Sequence, residues 1–176
     1  MPVIEVPTSW AMLNIGSNNS KSWLSNWTPE QVQPNAVDIK LDKIFIVNSD
    51  RFIIDEVKKV HRGTSEMRHD ADGYFHLAPH TTYEFTAEGT VQIGPEEAGF
   101  VITRSTLNRN GLFITSGLYD SGYNGVMAGA LHNNGGPAMI KKGTRIGQFL
   151  LWRAEAVSSY DGDYGKGKQH DQKYGT

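Results

Sequence analysis

The chain has 176 residues, with 17 Lys+Arg against 19 Asp+Glu, a formal net charge of −2 and no cysteine. That length suits one domain with a real core, the charge balance offers no basic face for general nucleic-acid binding, and the lack of thiols excludes disulfides, thiolate zinc sites and cysteine nucleophiles while leaving the redox compartment open. No apolar run reaches membrane-span length and the first residues lack the basic-then-apolar build of a signal peptide, so a soluble, cytoplasmic protein is expected.

Residues 1–30 read as an N-terminal extension, polar and small around "NIGSNNSKSWLSNW", with Trp10, Trp23 and Trp27 close by. Thr28 followed by Pro29 predicts a short helix, because proline suits the first helical position. Helix is expected mainly in such short segments of the first third. Strands follow. "VDIKLDKIFIV" alternates Val37, Ile39 and Leu41 against Asp38, Lys40 and Asp42, a period of two. "RFIIDEV", "YFHLAP", "TTYEFTAEGTVQI", "GFVIT", "GLFITSGLY", "GVMAGALHN" and "GTRIGQFLLWRAEAV" continue the pattern, each punctuated by Gly, Pro, Asn or Asp. Many short strands without a long amphipathic helix predict an all-β sandwich or barrel over residues 31–158. Residues 159–176 are polar and glycine-rich with no core pattern, a tail that orders only on a partner surface.

The histidines are scattered, with no pair at metal spacing on one element. "EGTVQIGPEEAG" lacks the glycine order of a dinucleotide or P-loop fingerprint and reads as a turn. "TRSTLNRNGLF" is richer. Arg104, Ser105, Thr106, Arg109 and Gly111 put cations, hydroxyls and turn formers between two apolar strands. Such donors suit a polyphosphate, and they also suit a polar capped turn. "SGLYDSGYNGVMAGALHNNG" sets Asp120 among glycines and beside Tyr123. Asp120 is either a plain turn residue or a base presented by a hairpin.

In order along the chain these stretches resemble the dCTP deaminase/dUTPase superfamily, from about Gln31 onward. "EQVQPNAVDIKL" is similar to the first deaminase-branch motif, with Asp38 at its aspartate. "TRSTLNRNGL" is similar to R-S-S-L-A-R-x-G-L through Arg104, Ser105, Leu107, Arg109, Gly111 and Leu112. "GLYDSGYNG" resembles the hairpin motif through Gly117, Asp120, Tyr123 and Gly125. "GTRIGQFLLW" resembles G-D-R-I-A-Q through Gly143, Arg145, Ile146 and Gln148, and "DQKYGT" is similar to the D-A-K-Y segment of the deaminase tail.

The resemblance implies a dUTPase-like β-barrel or jelly-roll of the β-clip type, a homotrimer with sites between subunits, and a tail that closes over a deoxypyrimidine triphosphate. It implies Asp120 as the base that activates water for attack on the α-phosphorus. It implies Arg104, Ser105, Thr106, Arg109 and Gln148 around the phosphates with Mg²⁺, and Asp38 acting on the metal through water. Gly117 would let backbone read the base, Tyr123 would face the deoxyribose, and Lys166, Lys168, Lys173 and Tyr174 would close from the tail.

One departure separates two activities. In the deaminases a glutamate lies ten residues after the hairpin aspartate; here that position is Ala130, and no Glu or Asp occurs from Ser121 to Lys142. Hydrolysis of dUTP, or a related deoxypyrimidine triphosphate, to dUMP and pyrophosphate is therefore the leading expectation. The alternatives are a dCTP deaminase, monofunctional or bifunctional, and a non-catalytic trimeric structural or regulatory module of the same fold.

Overall fold

Period-two alternation does build this molecule. The computed structural model describes residues 12, 13, 15 and 19–168. Its elements in chain order are β1 (Met12–Leu13), β2 (Trp23–Leu24), a 3-10 turn (Pro29–Gln31), β3 (Val32–Gln33), β4 (Ala36–Val47), β5 (Ile53–Ile54), β6 (Lys59–Val60), β7 (Thr64–Glu66), β8 (Tyr74–Leu77), β9 (Thr81–Gln92), β10 (Glu97–Thr103), α1 (Ser105–Asn108), β11 (Leu112–Thr115), β12 (Asn124–Asn133), β13 (Ala138–Lys141) and β14 (Arg145–Arg153).

The main sheet runs β1-β14-β4-β9-β12-β11, with β10 added on β14 and β2 on β9. Its long strand β4 serves two layers. Val37–Lys40 pairs antiparallel with β14, whereas Leu41–Ile46 pairs with β9 after a register shift between Leu41 and Lys43. Such a bulge bends a strand and raises its twist, which lets one strand turn the corner between layers. Near-closure comes from the hairpin after β11. Tyr119 N donates to Gly99 O at 2.7 Å and Gly99 N donates to Tyr119 O at 3.0 Å, so β10 meets the far end of the sheet. Only glycine fits there: a Cβ on Gly99 would stand 2.4 Å from the Phe149 ring.

Ile39, Leu41, Phe85, Val91, Met127, Leu131 and Phe149 form the centre of one core. Burying each such side chain contributes roughly 1.5–3 kcal/mol. Exposed pairs such as Lys21–Glu96 and Lys43–Glu66, each at 3.4 Å, contribute about 0–1 kcal/mol. Apolar burial therefore dominates the fold's stability.

The N-terminal segment is tied to this core through Glu97, a buried carboxylate. Glu97 accepts from Lys21 N at 2.7 Å and from Ser22 Oγ at 2.5 Å. The turn at Thr28 forms as the Pro29 signal predicts, closed by a capping box between Thr28 and Gln31. The α-helical turn α1 lies beyond the first third, where helix was not expected. "RFIIDEV" yields only the two-residue β5, because no second layer covers it: Ile54 is 61% exposed. Among the described residues no helix is long and apolar enough to cross a membrane.

Candidate active site

Two groups of residues stand out, on different parts of the chain. The first is built on Asp38. Its side chain is fully buried, and Oδ2 lies 3.4 Å from Arg104 Nε and 3.3 Å from Arg145 Nη1. Gln31 pins the same residue from behind, its Nε2 donating to Asp38 O at 2.6 Å. Arg145 Nη1 also donates to Glu30 O at 2.8 Å, and Arg104 Nη1 to Arg145 O at 3.3 Å. Gln148 sits directly across from Asp38 on β14 and from Ile102 on β10. One carboxylate thus orients two guanidiniums and leaves a surplus positive charge, an arrangement that suits a polyanion.

α1 follows directly. Arg104 is its extended N-cap, and Leu107 turns inward against the core. Ser105, Thr106 and Arg109 remain exposed on the turn. Gly111, at φ 75°, closes it. Arg145, which the sequence marks only as part of a motif, belongs to this group.

The second group is the hairpin between β11 and β12. Tyr123 N donates to Asp120 O at 3.0 Å, and Gly122 takes φ 87°. The turn is closed by backbone. Among the described residues the Asp120 carboxylate makes no hydrogen bond or ion pair, and it is exposed. Tyr123 is buried. Its hydroxyl donates to Val126 O at 2.7 Å, and its ring lies 5.1 Å from Tyr119 and 5.4 Å from Tyr160.

Beside this hairpin is a cavity of about 800 Å³. Gly117, Leu118 and Tyr123 line it from the hairpin, and Ala128, Gly129 and Ala130 from β12. Thr82 and Glu84 of β9 line it next to them, with Phe52, His61 and Arg62 from the segment between β4 and β7. Arg104, Ser105, Thr106, Arg109, Gln148 and Asp120 do not line it. Within one chain the arginine group and the cavity are therefore separate.

The start of the tail closes another side. Tyr160 and Tyr164 line the cavity, Tyr160 N donates to Ser121 O at 2.8 Å, and Asp163 pairs with Lys59 Nζ at 2.7 Å. Lys166 is exposed, and Lys168 pairs with Asp161 at 2.9 Å. Lys173 and Tyr174 lie outside the described residues. The tail's sequence carries no core pattern, yet Tyr160 packs edge-on against Tyr123 at 72°.

Two tail contacts are alkali-sensitive. Burial raises the Tyr164 phenol above its ordinary range, and the hydrogen bond to Asp163 raises the Lys59 ammonium. Both groups bind their protons more tightly in the fold. Their contribution is complete below the unfolded pKa values and is lost as pH rises through the folded ones. These two contacts should therefore hold at neutral pH and weaken in alkali, above the ordinary range of tyrosine and lysine. The check is a phenolate absorbance titration of the wild type minus that of Tyr164→Phe. A midpoint above that of free tyrosine is expected, and an ordinary midpoint would contradict docking.

Nothing in the sequence around Glu84 marks it as a site residue. Register places it directly across from Ala130, the position where the deaminase glutamate is missing. Among the described residues there is no cluster of three side chains able to hold a metal ion.

Comparison with known proteins gives the family. The profile of the dCTP deaminase-like family matches residues 16–154. The probable deoxyuridine 5'-triphosphate nucleotidohydrolase of Methanopyrus kandleri is 30% identical over 138 residues, 78% of this chain and 89% of that one. The dUMP-forming dCTP deaminase of Salinispora arenicola is 31% identical over 145 residues, 78% of this chain and 74% of that one. Among solved structures, the dCTP deaminase of Agrobacterium tumefaciens superposes with a TM-score of 0.60 at 14% identity, over 78% of this chain and 45% of that chain. The dUTPase of Staphylococcus bacteriophage 80alpha gives a TM-score of 0.51 at 14% identity, over 85% of this chain and 100% of that one. At those identities the two structures speak for the fold alone, a dUTPase-like β architecture. With the profile spanning most of the sequence and relatives of both activities aligned along it, the chain belongs to the dCTP deaminase-like family.

Proposed function

We propose that the protein hydrolyses dUTP, or a related deoxypyrimidine triphosphate, to the monophosphate and pyrophosphate in the cytoplasm, with Asp120 as general base. The observation that carries this reading is the Asp120 carboxylate, exposed and unused in closing its own turn. Asp120 takes a proton from water, the water oxygen bonds to the α-phosphorus, and the bond to the bridging oxygen breaks to release pyrophosphate. Gly117 and the backbone around it meet the base in the cavity, and Tyr123 lies at the sugar, where Tyr160 now packs. Arg104, Ser105, Thr106, Arg109 and Gln148 hold the phosphates, with Lys166, Lys168, Lys173 and Tyr174 approaching from the tail.

Mg²⁺ fits as a companion of the substrate, since it keeps several waters and takes few protein ligands beside phosphate oxygens. When bound it would neutralise phosphate charge. Asp38 Oδ1 is buried without a hydrogen-bond partner among the described residues, an acceptor that a water of the metal's shell would satisfy.

The separation of the arginine group from the cavity supports a site completed by a second copy, in a homotrimer. Light scattering at micromolar concentration is expected to give three times the chain mass. A monomer would count decisively against a shared site.

Incubation with Mg²⁺ and dUTP or dCTP, followed by ion exchange, tests the activity. dUMP and pyrophosphate from dUTP are expected; release of pyrophosphate from neither nucleotide would sink the reading. Deamination of dCTP is the second reading. It draws on Glu84, the carboxylate beside Ala130.

A further inference from the structure

The turn between β9 and β10 lies between the N-terminal segment and the hairpin that carries Asp120. On one side it holds the hairpin. Ile93 N donates to Tyr123 O at 2.8 Å, Gly122 N donates to Ile93 O at 3.1 Å, and the buried Ser121 donates from Oγ to Glu97 O at 2.7 Å. These bonds fall on the three residues that follow Asp120. On the other side residues 20–22 are seated against the turn. Ser22 Oγ accepts from Gly94 N at 2.8 Å and donates to Glu97 Oε2 at 2.5 Å. Ser20 Oγ donates to the same oxygen at 3.2 Å, and Lys21 N donates to Oε1 at 2.7 Å. The fit is close: a Cβ on Gly94 would stand 2.5 Å from Lys21 Cβ. Beside Glu97, Glu96 takes φ 58°, the left-handed region that a side chain disfavours. Such a conformation persists where its surroundings over-determine it, and it gathers at functional sites.

Glu97 is 2% exposed, and these donors to its carboxylate are neutral. Taking a carboxylate out of water is costly, and a well-packed apolar side chain of similar volume is often no less stable. What the carboxylate adds is direction. It accepts from Ser20, Lys21 and Ser22 at fixed positions, so the turn has one arrangement against the N-terminal segment. The hairpin inherits that arrangement through Ile93 and the Glu97 carbonyl. A general base must stand within hydrogen-bond reach of the proton it takes, and a displacement of about 1 Å can cost about 100-fold in rate. We propose that Glu97 and Ser22 are positioning residues that fix the Asp120 hairpin from the N-terminal segment. Neither lines the cavity, so both act through the turn. This rests on the reading of Asp120 as the base of the hydrolysis.

The test uses the full chain as wild type, Ser22→Ala and Glu97→Met, each also combined with Asp120→Asn. Ser22→Ala removes the hydroxyl that joins Gly94 to Glu97. Glu97→Met keeps the volume and removes the acceptors. Amide hydrogen exchange by NMR is read first. Exchange at Ile93 and Gly122 should quicken by about 5–10-fold in both variants, with the core amides of β4 near wild type. Steady-state kinetics follow, with Mg²⁺ and whichever of dUTP and dCTP releases pyrophosphate. Turnover should fall by about 10–100-fold while KM changes by less than about twofold, since the phosphates are held by the arginine group. In the Asp120→Asn background neither variant should lower the residual turnover by more than about twofold, because a misplaced base and a missing base forfeit the same contribution. A purely structural role would lower the melting temperature and leave the kcat of folded protein in place. That result overturns the proposal, and so does an equal fall in kcat with and without Asp120. If neither nucleotide yields pyrophosphate, or if Asp120→Asn stays active, the general-base reading fails and exchange at Ile93 and Gly122 decides: faster exchange upholds the hold on the hairpin, and unchanged exchange overturns it.

Discussion

Asp120→Asn is expected to lower turnover by about 10²–10⁴, the usual worth of a general base, with nucleotide affinity and melting temperature near wild type. Two explanations of this aspartate compete. A turn aspartate stabilises its loop through side-chain bonds to nearby backbone, and losing it would cost stability. Here the turn is closed by Asp120 O accepting from Tyr123 N, while the hairpin is fastened by Ser121 Oγ donating to Glu97 O at 2.7 Å and by Ile93 N donating to Tyr123 O at 2.8 Å. None of these bonds involves the Asp120 carboxylate. Asparagine keeps the size and the backbone bonds but removes the basic lone pair. Asp120→Ala should therefore also melt close to wild type, unlike a turn-stabilising aspartate. Steady-state kinetics and thermal melts on both variants decide the matter; an active Asn variant would end the catalytic reading.

The strands were legible because apolar alternation is a local signal. Val37, Ile39 and Leu41 point inward as their period predicts. Asp38 breaks the same pattern. It falls on the face expected to meet water, yet its side chain is fully buried, with Arg104 and Arg145 against Oδ2. Nothing within β4 announces that cover. The short β13 offered too few residues for a period, with Ile140 alone of its four buried. Helix α1 has one inward apolar residue, Leu107, too little to distinguish a helical turn from a loop. Of the candidate site, the order of the motifs could be read directly. The neighbours across strands could not, because register is a property of the sheet. A search for an acid along β12 finds none, while Glu84 stands across from Ala130 on a strand read much earlier in the chain. Tyr160 is the same lesson in the tail: scattered tyrosines in a polar run give no periodic signal, and its partner Tyr123 is set by the hairpin.

Asp38→Ala should be the most damaging substitution in the arginine group. Removing one partner of a buried ion pair costs about 3–5 kcal/mol when the stranded charges are fully buried. Arg104 and Arg145 keep 30% and 38% of their side chains exposed, so water recovers part of that loss. A destabilisation of about 2–3 kcal/mol is expected, which lowers the melting temperature of a chain this size by roughly 5–10 °C. Asp38→Asn keeps an acceptor for one guanidinium and should lose less. Two effects on triphosphate binding oppose each other. Deleting a negative charge strengthens the positive field, but the guanidiniums lose the oxygen that orients them. Guanidinium recognition of phosphate depends on fixed fork geometry, whereas a field reaching a partly exposed site is screened by water and salt. Loss of orientation should win, and KM for the triphosphate should rise in both variants even at saturating Mg²⁺. The outcome also separates the two roles open to Asp38. A residue that served only the metal's hydration shell would shift the Mg²⁺ concentration needed for activity and leave the melting temperature alone. An unshifted melt in Asp38→Ala would therefore remove it as the anchor of Arg104 and Arg145.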